Sequence, residues 1–324
     1  MYSRGMIDIV FIGTSSAIPA FNRWLPSILV KVDNEYLLLD CGEGTQYRII
    51  KAGLKVNRLT AVFITHLHGD HFYGLPGLLE SLGVLGREKP LKVYGPRGLK
   101  GFLEASLHAK ALEYPLEIIE VAPGELLVRD SYKVLAFPAI HGVEAYSYKI
   151  VCNSIPGKFN ENKARELGIP PSPLRKRLLR GEPVRLSSGR IVYPSEVVGP
   201  PRTGLSIVYS GDTVPNRILV EQSKDVDVLI HEATFTEKHA EEAEVSKHST
   251  ARGAALAAEA AQVKLLILFH YSGRYRSQEP FLEEARPVFR RTYASLDMLK
   301  VSLKRVNVND LRATFTILPT REEY

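Results

Sequence analysis

Apolar residues along this chain come in short, β-branched runs that stop at polar or glycine-rich turns. Runs at 7–12, 27–32, 36–39, 61–65, 133–137, 206–210, 226–230 and 264–269 predict strands. Elsewhere the spacing becomes helical. Residues 75–85 carry apolar side chains three and four apart, 250–261 are alanine-rich, and 280–289 follow Glu279 with a further helical pattern. The first half is strand-heavy and the second alternates strand and helix. That order predicts an α/β fold of two mixed sheets covered by helices, in four layers.

One segment breaks the pattern. Residues 153–204 hold eight prolines and six glycines and show no regular apolar period. A stretch of that length without core elements is uncommon inside a compact domain and is usually functional or disordered. It is also where the charge sits. The chain carries 42 basic and 36 acidic side chains, a net of +6. Residues 153–198 hold nine Lys/Arg, among them Arg175, Lys176 and Arg177, against four Glu, a net of +5. The expectation is one domain over 1–324 with an inserted arm at about 153–198. The arm is either a solvated basic surface or a handle for a polyanion.

Composition removes several classes. With 45% hydrophobic and 24% charged residues the chain reads as globular. No run approaches the ~20 apolar residues that span a bilayer. Two cysteines, Cys41 and Cys152, cannot make a disulfide framework. With no secretory pattern at residues 1–8, the expected location is cytoplasmic.

The chemistry gathers on histidine. Three of the nine histidines lie in Thr65-His66-Leu67-His68-Gly69-Asp70-His71, directly after an apolar strand. A single histidine is usually structural, but three with an aspartate within six residues read as metal ligands. Imidazole and carboxylate suit zinc, manganese or iron, and the absence of cysteine argues against a closed structural zinc site. Two metal shells need more donors. His141, Asp212 and His270 each follow an apolar strand.

This set resembles the metallo-β-lactamase superfamily, whose fold is an αββα sandwich with two metals at one edge of the sheets. Longer motifs resemble one branch, the ribonuclease Z family of tRNA 3′-processing endonucleases. They are Phe11-Ile-Gly-Thr-Ser-Ser-Ala-Ile-Pro19, Leu39-Asp-Cys-Gly-Glu-Gly-Thr-Gln46, His231-Glu-Ala-Thr234, His248-Ser-Thr250 and His270-Tyr-Ser-Gly-Arg-Tyr275. The arm is similar to that family's tRNA-gripping arm. Ser15, Ser16 and Ser172 stand where the family usually has glycine, which puts the local backbone there in question.

The resemblance implies a zinc-dependent endoribonuclease that removes the 3′ trailer of precursor tRNA by metal-hydroxide attack on the phosphodiester. It implies two Zn2+ per chain, with Mn2+ or another divalent metal as a substitute. His66, His68 and His141 would hold one ion and Asp70, His71 and His270 the other, with Asp212 between them. Asp70 would also orient the nucleophile. His248, polarised by Glu232, is the candidate general acid; its alternative role is a helix cap. Ser272, Arg274 and Tyr275 would bind a phosphate, and Arg175, Lys176 and Arg177 the tRNA. A homodimer is expected from the resemblance alone. The competing enzyme reading is a phosphodiesterase or sulfatase acting on small molecules, which would have no use for a basic arm. A catalytically silent RNA-binding subunit is the third, and the complete donor set argues against it.

Overall fold

The computed structural model describes residues 5–107, 112–307 and 310–320, so His108, which has no assigned role, lies outside it. The first half of the chain supplies β1 (Met6–Gly13), β2 (Ser27–Val32), β3 (Glu35–Leu39), β4 (Leu59–Phe63), β5 (Leu91–Gly95) and β6 (Leu116–Glu120). Next come β7 (Gly124–Val128), β8 (Tyr132–Pro138), β9 (Tyr146–Cys152) and a short hairpin, β10 (Val184–Arg185) and β11 (Ile191–Val192). The remainder are β12 (Ser206–Tyr209), β13 (Val228–Glu232), β14 (Leu266–Phe269), β15 (Thr292–Ala294), β16 (Leu299–Asn307) and β17 (Asp310–Ile317). All eight runs predicted as strands are strands.

They form two large sheets, β17-β16-β1-β2-β3-β4-β5-β6 and β15-β14-β13-β12-β9-β8-β7. Ile9, Phe11, Val30, Leu37, Phe63, Tyr148, Ile207, Ile230 and Phe269 fill the space between them. Helices Thr45–Lys51, Leu75–Val84 and Leu99–Ser106 cover the first sheet through Ile49, Leu78, Leu82 and Leu103. Helices Arg217–Gln222, Ala251–Ala260 and Glu279–Ala285 cover the second through Leu219, Ala254, Ala258 and Phe281. The result is the expected four-layer αββα sandwich. Strands covered on both faces need no polar alternation, which is why β4, β12, β13 and β14 are continuous apolar runs.

Three readings need correction. The helix expected over 280–289 ends at Ala285: Arg286 still has helical backbone (φ −64°, ψ −33°), but Pro287 has no N–H to continue the hydrogen-bond ladder. The single tryptophan, Trp24, which its large apolar ring leads one to expect in the core, is instead half-buried, against Tyr47 and under Arg48. The arm, read as lacking a core, has one of its own. Helices Glu161–Glu166, Pro173–Leu179 and Pro194–Val197 and the β10–β11 hairpin bury Ala164, Ile169, Leu178, Val184, Val192 and Val197 together. Its prolines hid this. Pro173 and Pro194 start helices, where a missing N–H costs nothing, and elements of two to seven residues show no period. Ser172, in the place of the usual glycine, is the extended N-cap of its helix (φ −138°).

The arm leaves the sandwich between β9 and β12 on a two-stranded stem. Ile155 pairs with Arg202 and Phe159 with Val198. Arg175 organises the lobe. Its guanidinium donates to the carbonyls of Ile169 and Pro170, pairs with Glu161 at 2.6 Å and lies over the Phe159 ring.

Candidate metal centre

One edge of the sandwich collects the donors. β8 and β12 both run antiparallel to β9, and β12, β13 and β14 are parallel, so β8, β12, β13 and β14 end on the same side. Past those ends lie His141, Asp212, Thr234 and His270. Opposite them the chain leaves β4 extended through His66 and His68, then turns into the one-turn helix Gly69–Phe72, which carries Asp70 and His71. Tyr146 N–H donates to the Thr65 carbonyl at 2.9 Å and so joins the two sheets at this rim. Gly211 supplies the left-handed turn before Asp212 (φ +58°), where a Cβ would lie 2.8 Å from the Thr65 methyl.

The donor atoms face one another. His66 Nε2 is 3.0 Å and His141 Nε2 3.1 Å from His68 Nδ1. His71 Nε2 is 3.2 Å from His270 Nε2, with Asp70 Oδ2 at 3.4 and 3.5 Å from the two rings. Asp212 lies between the groups. Its Oδ2 is 3.7 Å from His66 and 3.3 Å from His71, and its Oδ1 is 3.5 Å from His270. Each trio, His66–His68–His141, Asp70–His71–His270 and His66–His71–Asp212, has its donor atoms within 4.8 Å of one another.

The far nitrogens of the rings decide what the near ones can do. His66 Nδ1 is 3.0 Å from the Thr65 hydroxyl, which itself donates to Asp40. His71 Nδ1 donates to Asp40 at 2.7 Å. His141 Nδ1 donates to the Lys247 carbonyl at 2.9 Å. His270 Nδ1 is 2.9 Å from the Thr234 hydroxyl, whose proton goes to Glu232 at 2.8 Å. Four rings thus have their N–H committed outward and turn a lone pair inward. Lone pairs facing at ~3 Å repel unless a proton or cation sits between them. Asp212 Oδ1 is buried with no hydrogen-bond donor among the described residues. The residues therefore fit divalent cations, and hydrogen-bonded outer partners of this kind are typical of ligating histidines.

Electrostatics agree. Burial opposes charge on His71, but Asp212, Asp70 and Asp40 outweigh it and hold the imidazole well above its usual range. Burial likewise opposes charge on Asp212, and His270 and His71 overcome it, keeping the carboxylate ionised far into acid. Without a cation this cluster holds a proton, and metal uptake must displace it. Burial, then repulsion from His71, push His66 well down, as a ligand kept neutral requires.

His248 and Glu232 adjoin the centre. Glu232 is fully buried and accepts from the Thr213, Thr234 and Ser249 amides, the Thr234 hydroxyl and His248 Nδ1 at 2.9 Å. Burial would raise its pKa, but the charge and hydrogen bond of His248 hold it below the usual carboxylate range. Burial opposes the His248 imidazolium, yet Glu232 and Asp212 carry its pKa up to about 9. His248 does not cap the helix that follows: its N-cap is Thr250, whose hydroxyl accepts from the Gly253 amide.

Other predicted residues lie further out. Ser272 is half-buried, and exposed Arg274 pairs with Glu242 over the Phe235 ring. The Tyr275 hydroxyl bonds the Thr236 amide and His239 Nδ1, at 3.1 and 2.6 Å. Lys176 and Arg177 are exposed on the arm, with Arg177 paired to Glu182. Neither Ser15 nor Ser16 has positive φ, so neither position needs glycine here. Sequence reasoning assigned no role to Asp40, Thr65, Tyr209 or Thr234. Asp40 binds the Thr65 amide and hydroxyl, His71 and the Tyr209 hydroxyl. Its signal was an acid directly after the apolar run of β3.

The chain is similar to known proteins along most of its length. Residues 7–153 match the family model described as "Anti-Pycsar protein Apyc1". A metallo-β-lactamase fold protein of Bacillus subtilis superposes with a TM-score of 0.67 at 17% identity, covering 92% of this chain and 99% of that one. The short form of human tRNase Z superposes with a TM-score of 0.63 at 25% identity, covering 90% of this chain and 98% of that one. Ribonuclease Z of Methanosarcina mazei is 40% identical over 301 residues, 92% of this chain and 98% of its own length. With that identity over nearly all of both sequences, the chain belongs to the ribonuclease Z family.

Proposed function

We propose that this protein is a metal-dependent endoribonuclease that removes the 3′ trailer from precursor tRNA. The observation that carries the reading is the inward-facing array of His66, His68, His71, His141, His270 and Asp212, on a chain of this family. His66, His68 and His141 would hold one ion and Asp70, His71 and His270 the other, with Asp212 lying between the two trios. Bound there, the ions would supply Lewis-acid activation of water and neutralise phosphate charge.

This chain's own residues do the rest. Asp70, half-buried beside His71 and His270, orients the attacking water. Glu232 fixes His248 Nδ1 as a donor, so Nε2 is the atom that delivers a proton to the leaving 3′ oxygen. Ser272, Arg274 and Tyr275 are assigned to the flanking phosphates. The arm, inserted at 153–198 in one catalytic domain, holds the tRNA through exposed cations such as Lys176 and Arg177. Arg175 supports the arm from within. Zinc as the native ion, a homodimer and a cytoplasmic location belong to the same proposal and rest on the family. Among the described residues no helix is long and apolar enough to cross a membrane.

The test is metal-loaded protein against a precursor tRNA and against bis(p-nitrophenyl) phosphate. Trailer release at one position supports the reading. Hydrolysis of the small diester alone favours the small-molecule phosphodiesterase instead.

A further inference from the structure

The backbone at His270 is held in a conformation that residues with a Cβ adopt uncommonly. His270 has φ +66°, in the left-handed region, where a residue with a Cβ is destabilised by roughly 1–2 kcal/mol. Facing the segment that follows is a tight turn in which Phe21 and Asn22 are also left-handed, with φ of 49° and 64°. Ala20 and Arg23 close that turn by exchanging backbone hydrogen bonds at 3.1 and 2.9 Å.

The side chain that joins the two strained segments is Arg23. It is only 4% exposed, and its Nη2 donates to the carbonyls of Ser272 at 3.2 Å and Tyr275 at 2.7 Å. Backbone bonds join the same segments at their base, from Tyr271 N to the Thr14 carbonyl and from Ser16 N to the Tyr271 carbonyl, both at 3.0 Å. Among the described residues Arg23 forms no salt bridge, and its Nε has no hydrogen-bond partner. Removing a guanidinium from water costs several kcal/mol, which the two carbonyls, the Phe21 and Tyr271 rings at 5.8 and 6.0 Å and the Asp297 carboxylate offset only in part, since burial remains the largest influence on Arg23. If this position served only packing, an apolar side chain would fill it better.

We propose that Arg23 is a positioning residue of the metal centre. By clamping the Ser272 and Tyr275 carbonyls it keeps His270 left-handed, with Nε2 turned to within 3.2 Å of His71 and 3.5 Å of Asp212. The inference rests on the reading of His270 as a ligand of the second ion. It assigns Arg23 to the metal through His270 and not to the RNA.

Zinc affinities of the full chain and of Arg23→Met and Arg23→Lys, measured by competition with a coloured chelator, test it. Melting of the metal-free proteins checks the fold. Outer-partner substitutions typically weaken a metal by about 10–100-fold. Arg23→Met should weaken one ion by that factor and leave the other unchanged. Arg23→Lys keeps the charge but loses the planar fork, and should fall between; it carries the test if Arg23→Met does not fold. Turnover of precursor tRNA and of bis(p-nitrophenyl) phosphate should drop together. Equal weakening of both ions, or no weakening of either, would overturn the proposal. His270→Ala run alongside should lose one ion. If it keeps both, the ligand reading beneath the proposal fails, whatever Arg23 does.

Discussion

Asp40→Asn is the substitution whose effect follows most fully from the geometry. The carboxylate is completely buried and accepts from Thr65 N at 2.8 Å, the Thr65 hydroxyl at 3.0 Å, His71 Nδ1 at 2.7 Å and the Tyr209 hydroxyl at 2.7 Å. Asparagine keeps the shape but turns one oxygen into a donor. In one orientation the new N–H meets His71 Nδ1 and the Tyr209 hydroxyl; in the other it meets the Thr65 amide. A buried hydrogen bond to a charged group contributes about 1.5–3 kcal/mol, and a donor left unsatisfied costs ~1–3 kcal/mol more. The expected loss is therefore about 3–5 kcal/mol of stability. In the first orientation His71 can restore a hydrogen bond only by moving its proton to Nε2, which removes the lone pair that faces His270. Zinc affinity should then fall by about 10–100-fold. Urea unfolding of the metal-free protein and chelator competition on the loaded one measure the two effects. A D40N protein with parental stability and parental zinc affinity would refute the reasoning.

Other outcomes follow from the same geometry. His68→Ala and Asp212→Ala should each abolish turnover in a folded protein, with Asp212→Ala losing more metal because it stands between both trios; metal analysis beside activity checks this. His248→Ala should keep both ions and slow cleavage by ~10²–10⁴-fold, the usual range for general acid catalysis, and loss of metal would place His248 among the ligands. Deleting residues 153–198 should collapse cleavage of precursor tRNA at low substrate and spare bis(p-nitrophenyl) phosphate, with a shallower salt dependence of tRNA binding. Lys176→Ala with Arg177→Ala should act in the same direction, more weakly. Adding Arg175→Ala would also loosen the lobe, because that guanidinium holds the Ile169 and Pro170 carbonyls.

The sequence exposes those parts of the molecule whose pattern is local. Strands buried on both faces stand out as apolar runs, so β4, β12, β13 and β14 and the donors at their ends were legible together. β6 and β17 were not, because β6 is only partly buried and β17 is an edge strand with mostly exposed side chains. β9 was also missed, because Lys149 interrupts its apolar pattern although the strand lies inside the sheet. The outer partners of the metal ligands are a tertiary property. Asp40 lies 31 residues from His71, and Thr234 lies 36 from His270, so nothing in local spacing ties them. Arg23 is hidden for the same reason, 249 residues from the carbonyl of Ser272.

On the proposed mechanism this metal centre cuts precursor tRNA by water attack at phosphorus with departure of a 3′ oxygen. Mapping the products of a precursor tRNA carrying a defined trailer tests it directly. The expected outcome is one cut, a 3′-hydroxyl on the tRNA and a 5′-phosphate on the trailer, abolished by chelation and restored by a divalent metal. A 2′,3′-cyclic phosphate on the tRNA, or undiminished cleavage after the metal is stripped, would contradict it.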